Sequence, residues 1–60
     1  MKYESTVIEK WIKMINEEGI NLSDWELGFM ESITDQFDRS RYLSERQIEV
    51  LERIYTEKVS

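Results

Sequence analysis

The chain has 60 residues, of which 40% are hydrophobic and 35% charged, and its net charge at pH 7 is −5. That length allows one small domain, and the apolar content is too high for a disordered chain. Because the chain contains no cysteine and no histidine, disulfides, zinc fingers and histidine-based catalysis are excluded. No apolar run is long enough for a signal sequence or a membrane span, so we expect a soluble cytoplasmic protein.

The first helix is predicted to run from Ser5 or Thr6 to about Glu18. A capping-box pattern begins at Thr6, where Glu9 follows three positions later. Gly19 comes directly after the helix, and we expect it to adopt the left-handed conformation that closes many helices. The apolar residues recur with helical spacing on one arc, which consists of Val7, Ile8, Trp11, Ile12, Met14 and Ile15.

The second and third helices begin with the same capping signal, repeated after 21 residues. A serine precedes each helix, and a Glu or Gln three positions on can bond back to the serine backbone. The two copies are Leu22-Ser23-Asp24-Trp25-Glu26-Leu27 and Leu43-Ser44-Glu45-Arg46-Gln47-Ile48. The likeness extends beyond the caps, because Phe29, Met30 and Ile33 occupy the positions that Val50, Leu51 and Ile54 occupy in the second copy. Convergence on favoured capping chemistry explains the likeness, and an internal duplication is the alternative.

The second helix is predicted over about residues 24–38 and the third over about 45–57. Their buried arcs are expected to hold Trp25, Phe29, Met30, Ile33 and Phe37, and then Ile48, Leu51, Ile54 and Tyr55. Gly28 lies inside the second helix, where a close approach by the first helix is one explanation and a glycine with no packing role is the other. Glu49 and Arg53 are spaced for an ion pair on the third helix. Without proline or β-type alternation, the chain is predicted to be all-α, a single three-helix bundle over residues 1–60.

Charge is unevenly distributed along the chain. Residues 1–38 hold three lysines against nine acids, a net charge of −6, whereas residues 39–60 hold four arginines and one lysine against four acids, a net charge of +1. Glu31 and Asp35 stand one turn apart, but no calcium-binding loop accompanies them, and a solvated acidic face explains them better. With no phosphate loop and no nucleophile beside a base, we expect neither an enzyme nor a cofactor or metal.

The candidate contact residues are Arg39, Arg41, Tyr42 and Arg46, around the start of the third helix. Guanidinium groups, an aromatic ring and a positive helix terminus suit a phosphate backbone with one base stacked on the tyrosine. Asp38 and Glu45 reduce the local charge, so a solvated turn or an arginine-rich protein contact are the alternatives.

Two resemblances follow from these residues. The segment from Leu43 to Ile54 resembles the opening helix of LuxR-type DNA-binding domains, a family in which the scaffold and recognition helices come afterwards. A broader pattern is similar to helical segments of phage and bacterial proteins of DNA replication and recombination, including a small protein associated with a phage recombination helicase. Its positions are Trp25-Glu26, Phe29, Ser32-Ile33, Gln36, Leu43-Ser44, Gln47, Leu51 and Ile54. This resemblance implies an accessory role beside a helicase or nuclease and carries over no catalytic residue.

The sequence therefore predicts a non-enzymatic helical module that binds a protein partner, in the setting of DNA replication or recombination. Weak binding of single-stranded nucleic acid through Arg39 to Arg46 is the alternative. A third hypothesis is self-association through apolar residues left outside the core, such as Leu27 and Val50. No membrane and no small-molecule substrate are expected.

Overall fold

The computed structural model describes residues 4–59 and contains three α-helices. They are α1 (Ser5–Glu18), α2 (Asp24–Ser40) and α3 (Glu45–Lys58), and no strand occurs within the described range. All three helices contact one another, with α1 and α3 in the most extensive contact, and the bundle measures 28 × 20 × 19 Å. The predicted all-α three-helix bundle is confirmed.

Both predicted serine caps are present. The Ser23 Oγ accepts a hydrogen bond from the Glu26 N–H at 3.1 Å, and the Ser23 N–H donates to the Glu26 carboxylate at 2.8 Å. Ser44 and Gln47 form the same reciprocal pair, at 3.2 and 2.9 Å. Each pair satisfies two amide groups that would otherwise lack a partner, which fixes the start of α2 and of α3.

α1 has the predicted bounds, but the capping at both of its ends differs from the prediction. The residue before the helix is Glu4, which makes no side-chain capping bond, so the predicted cap at Thr6 is wrong. Gly19 is extended, with φ −67°, and the left-handed residue is Asn21, with φ 59°. Glycine is instead required at position 19 by space, because an added Cβ would lie 2.7 Å from the backbone oxygen of Ile15.

α2 runs two residues beyond its predicted end at 38. Arg41 takes a left-handed conformation, with φ 58°, and its N–H donates to the Phe37 carbonyl at 2.9 Å. The Ser40 hydroxyl donates to the Gln36 carbonyl at 3.0 Å. These bonds occupy the Gln36 and Phe37 carbonyls near the end of the helix. The left-handed position that closes a helix is more often occupied by glycine than by arginine.

The core lies between the three predicted apolar stripes. Its buried residues are Ile8, Ile12, Ile15, Met30, Ile33, Phe37, Leu43, Ile48, Leu51 and Ile54. Trp11, Phe29 and Tyr55 are partly buried against it, and the Trp11 and Tyr55 ring centroids lie 5.9 Å apart. The inward side of each helix was therefore predicted correctly, with the exception of Trp25.

Two detailed predictions on α2 and α3 are wrong, for Trp25 and for the Glu49–Arg53 pair, and at Gly28 the structure selects the alternative without a close approach. Trp25 is 63% exposed, because the second residue of a capped helix points away from the bundle here, as Arg46 does in α3. An added Cβ at Gly28 would meet nothing within 4 Å, so no neighbouring helix approaches it closely. Glu49 and Arg53 form no ion pair within 4.0 Å, as expected where solvation competes with a pair worth only a few tenths of a kcal/mol.

Candidate functional site

The predicted contact residues lie where α2 ends and α3 begins, on a connection held by paired amides. Gln36 and Gln47 exchange side-chain hydrogen bonds of 3.2 and 3.0 Å, and the Gln36 amide also donates to the Tyr42 carbonyl at 3.2 Å. Below them Leu43 is 1% exposed in the core. The sequence indicated the connection but not this amide pair, which needs both helices in place.

Two of the three arginines at this connection are paired within the molecule. The Arg39 Nε lies 3.2 Å from the Asp35 carboxylate, and the Arg41 Nη1 lies 3.1 Å from the Glu9 carboxylate of α1. The Arg41 guanidinium also lies 4.9 Å from the centre of the Phe37 ring, a cation–π contact. The positive charge available to an external phosphate is therefore smaller than the sequence count indicates.

Arg46 and Tyr42 remain open to solvent. Arg46 is exposed and forms no hydrogen bond or ion pair with any residue from 4 to 59. Tyr42 is 59% exposed. The connection thus presents one uncompensated guanidinium and one aromatic ring, next to two arginines whose pairs are exposed and can exchange with solvent.

Trp25 and Phe29 form an aromatic pair at the start of α2 that extends into solvent, although both residues were predicted to lie in the core. The Trp25 and Phe29 rings stack with centroids 5.3 Å apart and planes 11° apart. Phe29 is partly buried against the core, whereas Trp25 is mostly in solvent. The repeated capping signal contained the clue, because Trp25 occupies the position that holds the charged Arg46 in the second copy.

A shallow groove of about 500 Å³ lies along α2, beside Asn16 of α1. The Asn16 side-chain amide of α1 donates to the Thr34 hydroxyl of α2 at 3.3 Å across it. Leu27, another residue of the groove, is 52% exposed. The lining residues are Asn16, Leu27, Met30, Glu31, Thr34, Asp35 and Asp38, and we call this feature the α1–α2 groove. Its carboxylates do not converge, since no group of three or more potential metal ligands is found among residues 4–59.

A lysine at the end of α3 connects that helix to the start of α2. The Lys58 Nζ donates to the Asn21 carbonyl at 3.1 Å and lies 3.7 Å from the Glu26 carboxylate. The hydrogen bond from the Ser23 backbone N–H, followed by the positive charge of Lys58, lowers the pKa of Glu26. Glu26 therefore serves as cap acceptor and inter-helix ion pair at once, a structural role.

Comparison with known proteins gives no family for this chain. No family model matches it, and no curated protein or solved structure is significantly similar to it. Within the described residues, no helix is both long and apolar enough to cross a bilayer.

Proposed function

We propose that this chain is a non-enzymatic helical module that binds a partner protein, with Trp25 as an anchor residue. The observation that supports the proposal is that Trp25 is 63% exposed while its ring stacks on that of Phe29. Tryptophan is among the residues that most often dominate binding energy at protein interfaces.

The fold gives Trp25 no structural duty that needs an indole. Its counterpart Arg46 is also exposed, so a charged residue is tolerated at this position of a capped helix. Stacking on Phe29 restricts the indole before any partner arrives, which lowers the entropy lost on binding. An exposed, pre-ordered indole on a bundle of this size favours a docking role.

The arginine connection supplies the second part of the proposed contact. Arg39, Arg41 and Arg46 lie 14 to 21 residues after Trp25 in sequence, near the opposite end of α2. At roughly 1.5 Å per helical residue, the two contacts are about 20 Å apart or more, a span that suits a protein surface. An accessory role in DNA replication or recombination rests on the resemblance of the capped helices alone.

Affinity capture from the native host tests this proposal. The immobilised wild-type chain is expected to retain a specific protein, identified by mass spectrometry, and Trp25→Ala should reduce its affinity at least tenfold. Arg53→Ala, a change at an exposed residue of α3, is the control and should leave the affinity within twofold. Equal affinity for wild type and Trp25→Ala would remove the indole from the interface.

The arginine connection is tested with the same partner. Replacing Arg39, Arg41 and Arg46 together by alanine should weaken binding further. Unchanged affinity would restrict the interface to the Trp25 region.

Binding of single-stranded nucleic acid is the second candidate, favoured by the exposed, unpaired Arg46 and by the exposed Tyr42 four residues before it in sequence. Its affinity should fall steeply with added salt, because phosphate contacts release counterions. In an oligonucleotide titration followed by NMR, the amide shifts should concentrate in residues 39–47. Shifts spread over the acidic residues of α2 instead would contradict this candidate.

A further inference from the structure

We infer that the α1–α2 groove binds a basic amphipathic helix of the partner protein. The inference rests on the proposed protein-binding function and adds to it the chemistry of the partner. Three features of the groove carry it: an apolar side chain left uncovered, a row of carboxylates beside it, and a length that matches a short helix.

The uncovered side chain is Leu27. It and Ile48 occupy the same position, the fourth helical residue after a capping serine. Ile48 is 1% exposed, whereas Leu27 is 52% exposed. The neighbouring equivalents Met30 and Leu51 are both buried. The bundle thus covers this position in α3 and leaves it open in α2, where an apolar side chain from outside would complete the packing.

The row of carboxylates consists of Glu31, Asp35 and Asp38, which follow Leu27 along α2. Among the described residues only Asp35 of these three has an ion-pair partner, Arg39, and both side chains of that pair are more than 60% exposed. Such exposed pairs contribute about 0–1 kcal/mol and are readily exchanged for a new partner. Lysine or arginine side chains on the bound helix would complement this row.

The dimensions of the groove match a short helix. From Leu27 to Asp38 the chain advances eleven residues along α2, about 16 Å or three turns at 1.5 Å per residue. The axis of a helix bound in the groove would lie about 8–10 Å from the axis of α2, the usual distance between packed helices. We therefore expect a segment of about three turns with apolar residues opposite Leu27 and basic residues opposite Glu31 and Asp38.

A second copy of this chain fits the groove less well. The exposed side of α3 alternates Glu45, Arg46, Glu49 and Arg53, so it would place carboxylates against the acidic row. Like charges brought together at an interface cost several kcal/mol. A uniformly basic segment from another protein satisfies the groove better.

Peptide titration of the full chain, followed by amide NMR shifts, tests the inference. The probe is a peptide of about four turns with leucines on one stripe and lysines elsewhere. One control has the same composition in an order that destroys the stripe, and another has glutamate in place of lysine. The striped lysine peptide should bind at least tenfold more tightly than either control, with shifts concentrated at Asn16 and residues 27–38.

Variants of the protein locate the site. Leu27→Ala should weaken binding of the striped peptide at least fivefold while circular dichroism remains that of the wild type, because Leu27 is half exposed. Arg53→Ala, a change at an exposed residue of α3 outside the groove lining, should alter the affinity less than twofold. Glu31→Lys with Asp38→Lys should weaken the lysine peptide at least tenfold.

Several results would overturn the inference. Equal affinity for the striped peptide and for the control of the same composition would show that binding is charge attraction only. Amide shifts confined to residues 39–47 would place the binding site at the arginine connection instead. Self-association that Leu27→Ala abolishes would assign the groove to a second copy. If the striped peptide does not bind but the native partner is still captured in a way that depends on Trp25, the groove is refuted as a binding site and the proposed function is not. If the peptide binds but capture does not depend on Trp25, Trp25 is refuted as the anchor.

Discussion

Replacement of Gly28 by alanine should stabilise the protein. Gly28 lies inside α2, its φ is not positive, and an added Cβ would meet no atom within 4 Å. A methyl group here costs no packing rearrangement, whereas glycine in a helix interior loses more backbone entropy on folding than alanine does. The expected gain in the free energy of unfolding is about 0.5–1 kcal/mol.

Such a gain is large for a bundle of this size. The total stability expected for so small a core is about 3–5 kcal/mol. A gain of 1 kcal/mol corresponds to a rise in Tm of about 4–8 °C for a domain of 60–100 residues. Thermal melts and urea titrations followed by circular dichroism at 222 nm measure both quantities, and an unchanged urea m-value would show that the exposed surface on unfolding is the same.

Gly19→Ala is the matched control. It restricts the unfolded chain in the same way, but its Cβ would lie 2.7 Å from the Ile15 carbonyl oxygen, so it should cost roughly 1 kcal/mol or more. The two variants therefore shift stability in opposite directions for a reason that lies only in the folded state. If Gly28→Ala were neutral or destabilising, the surroundings assigned to position 28 would be incorrect.

Three further predictions concern the core, the amide pair and the capping carboxylate. Leu43→Ala removes a fully buried side chain and should cost about 2–5 kcal/mol, a large part of the total stability, whereas Leu27→Ala should cost less than about 1 kcal/mol. Urea titrations measure both losses, and similar losses for both would contradict the burial of Leu43. Gln36→Ala leaves the Gln47 amide without its partner and should lower the urea midpoint by the equivalent of about 1 kcal/mol, a loss that an unaltered midpoint would disprove. The pKa of Glu26 is lowered in the folded state, so its stabilising effect is fully present above its unfolded pKa of about 4.3 and is lost as the pH falls through the folded value. Glu26→Gln should therefore be less stable than the wild type at pH 7, and the difference should shrink in urea titrations near about pH 2; an equal difference at both pH values would argue against the carboxylate.

The sequence by itself determined the helices and their inward sides. The two serine caps, at Ser23 and Ser44, depend on residues within one turn of each other, so the chemistry that defines these helix starts is local. The apolar stripes follow from helical spacing and locate the core without knowledge of the neighbours. Local chemistry was insufficient for α1, where Thr6 matched a capping pattern but lies inside the helix.

Only the tertiary structure decided which outward residues have partners. Leu27 and Ile48 are equivalent in sequence, yet one is half exposed and the other buried, because coverage depends on where the other helices lie. Arg41 is joined to Glu9 across 32 positions of the chain, so its charge is compensated by a residue that no local pattern indicates. Capping depends on residues within one turn of the chain. The exposed surface depends on how three helices pack together, and the proposed binding sites are parts of that surface.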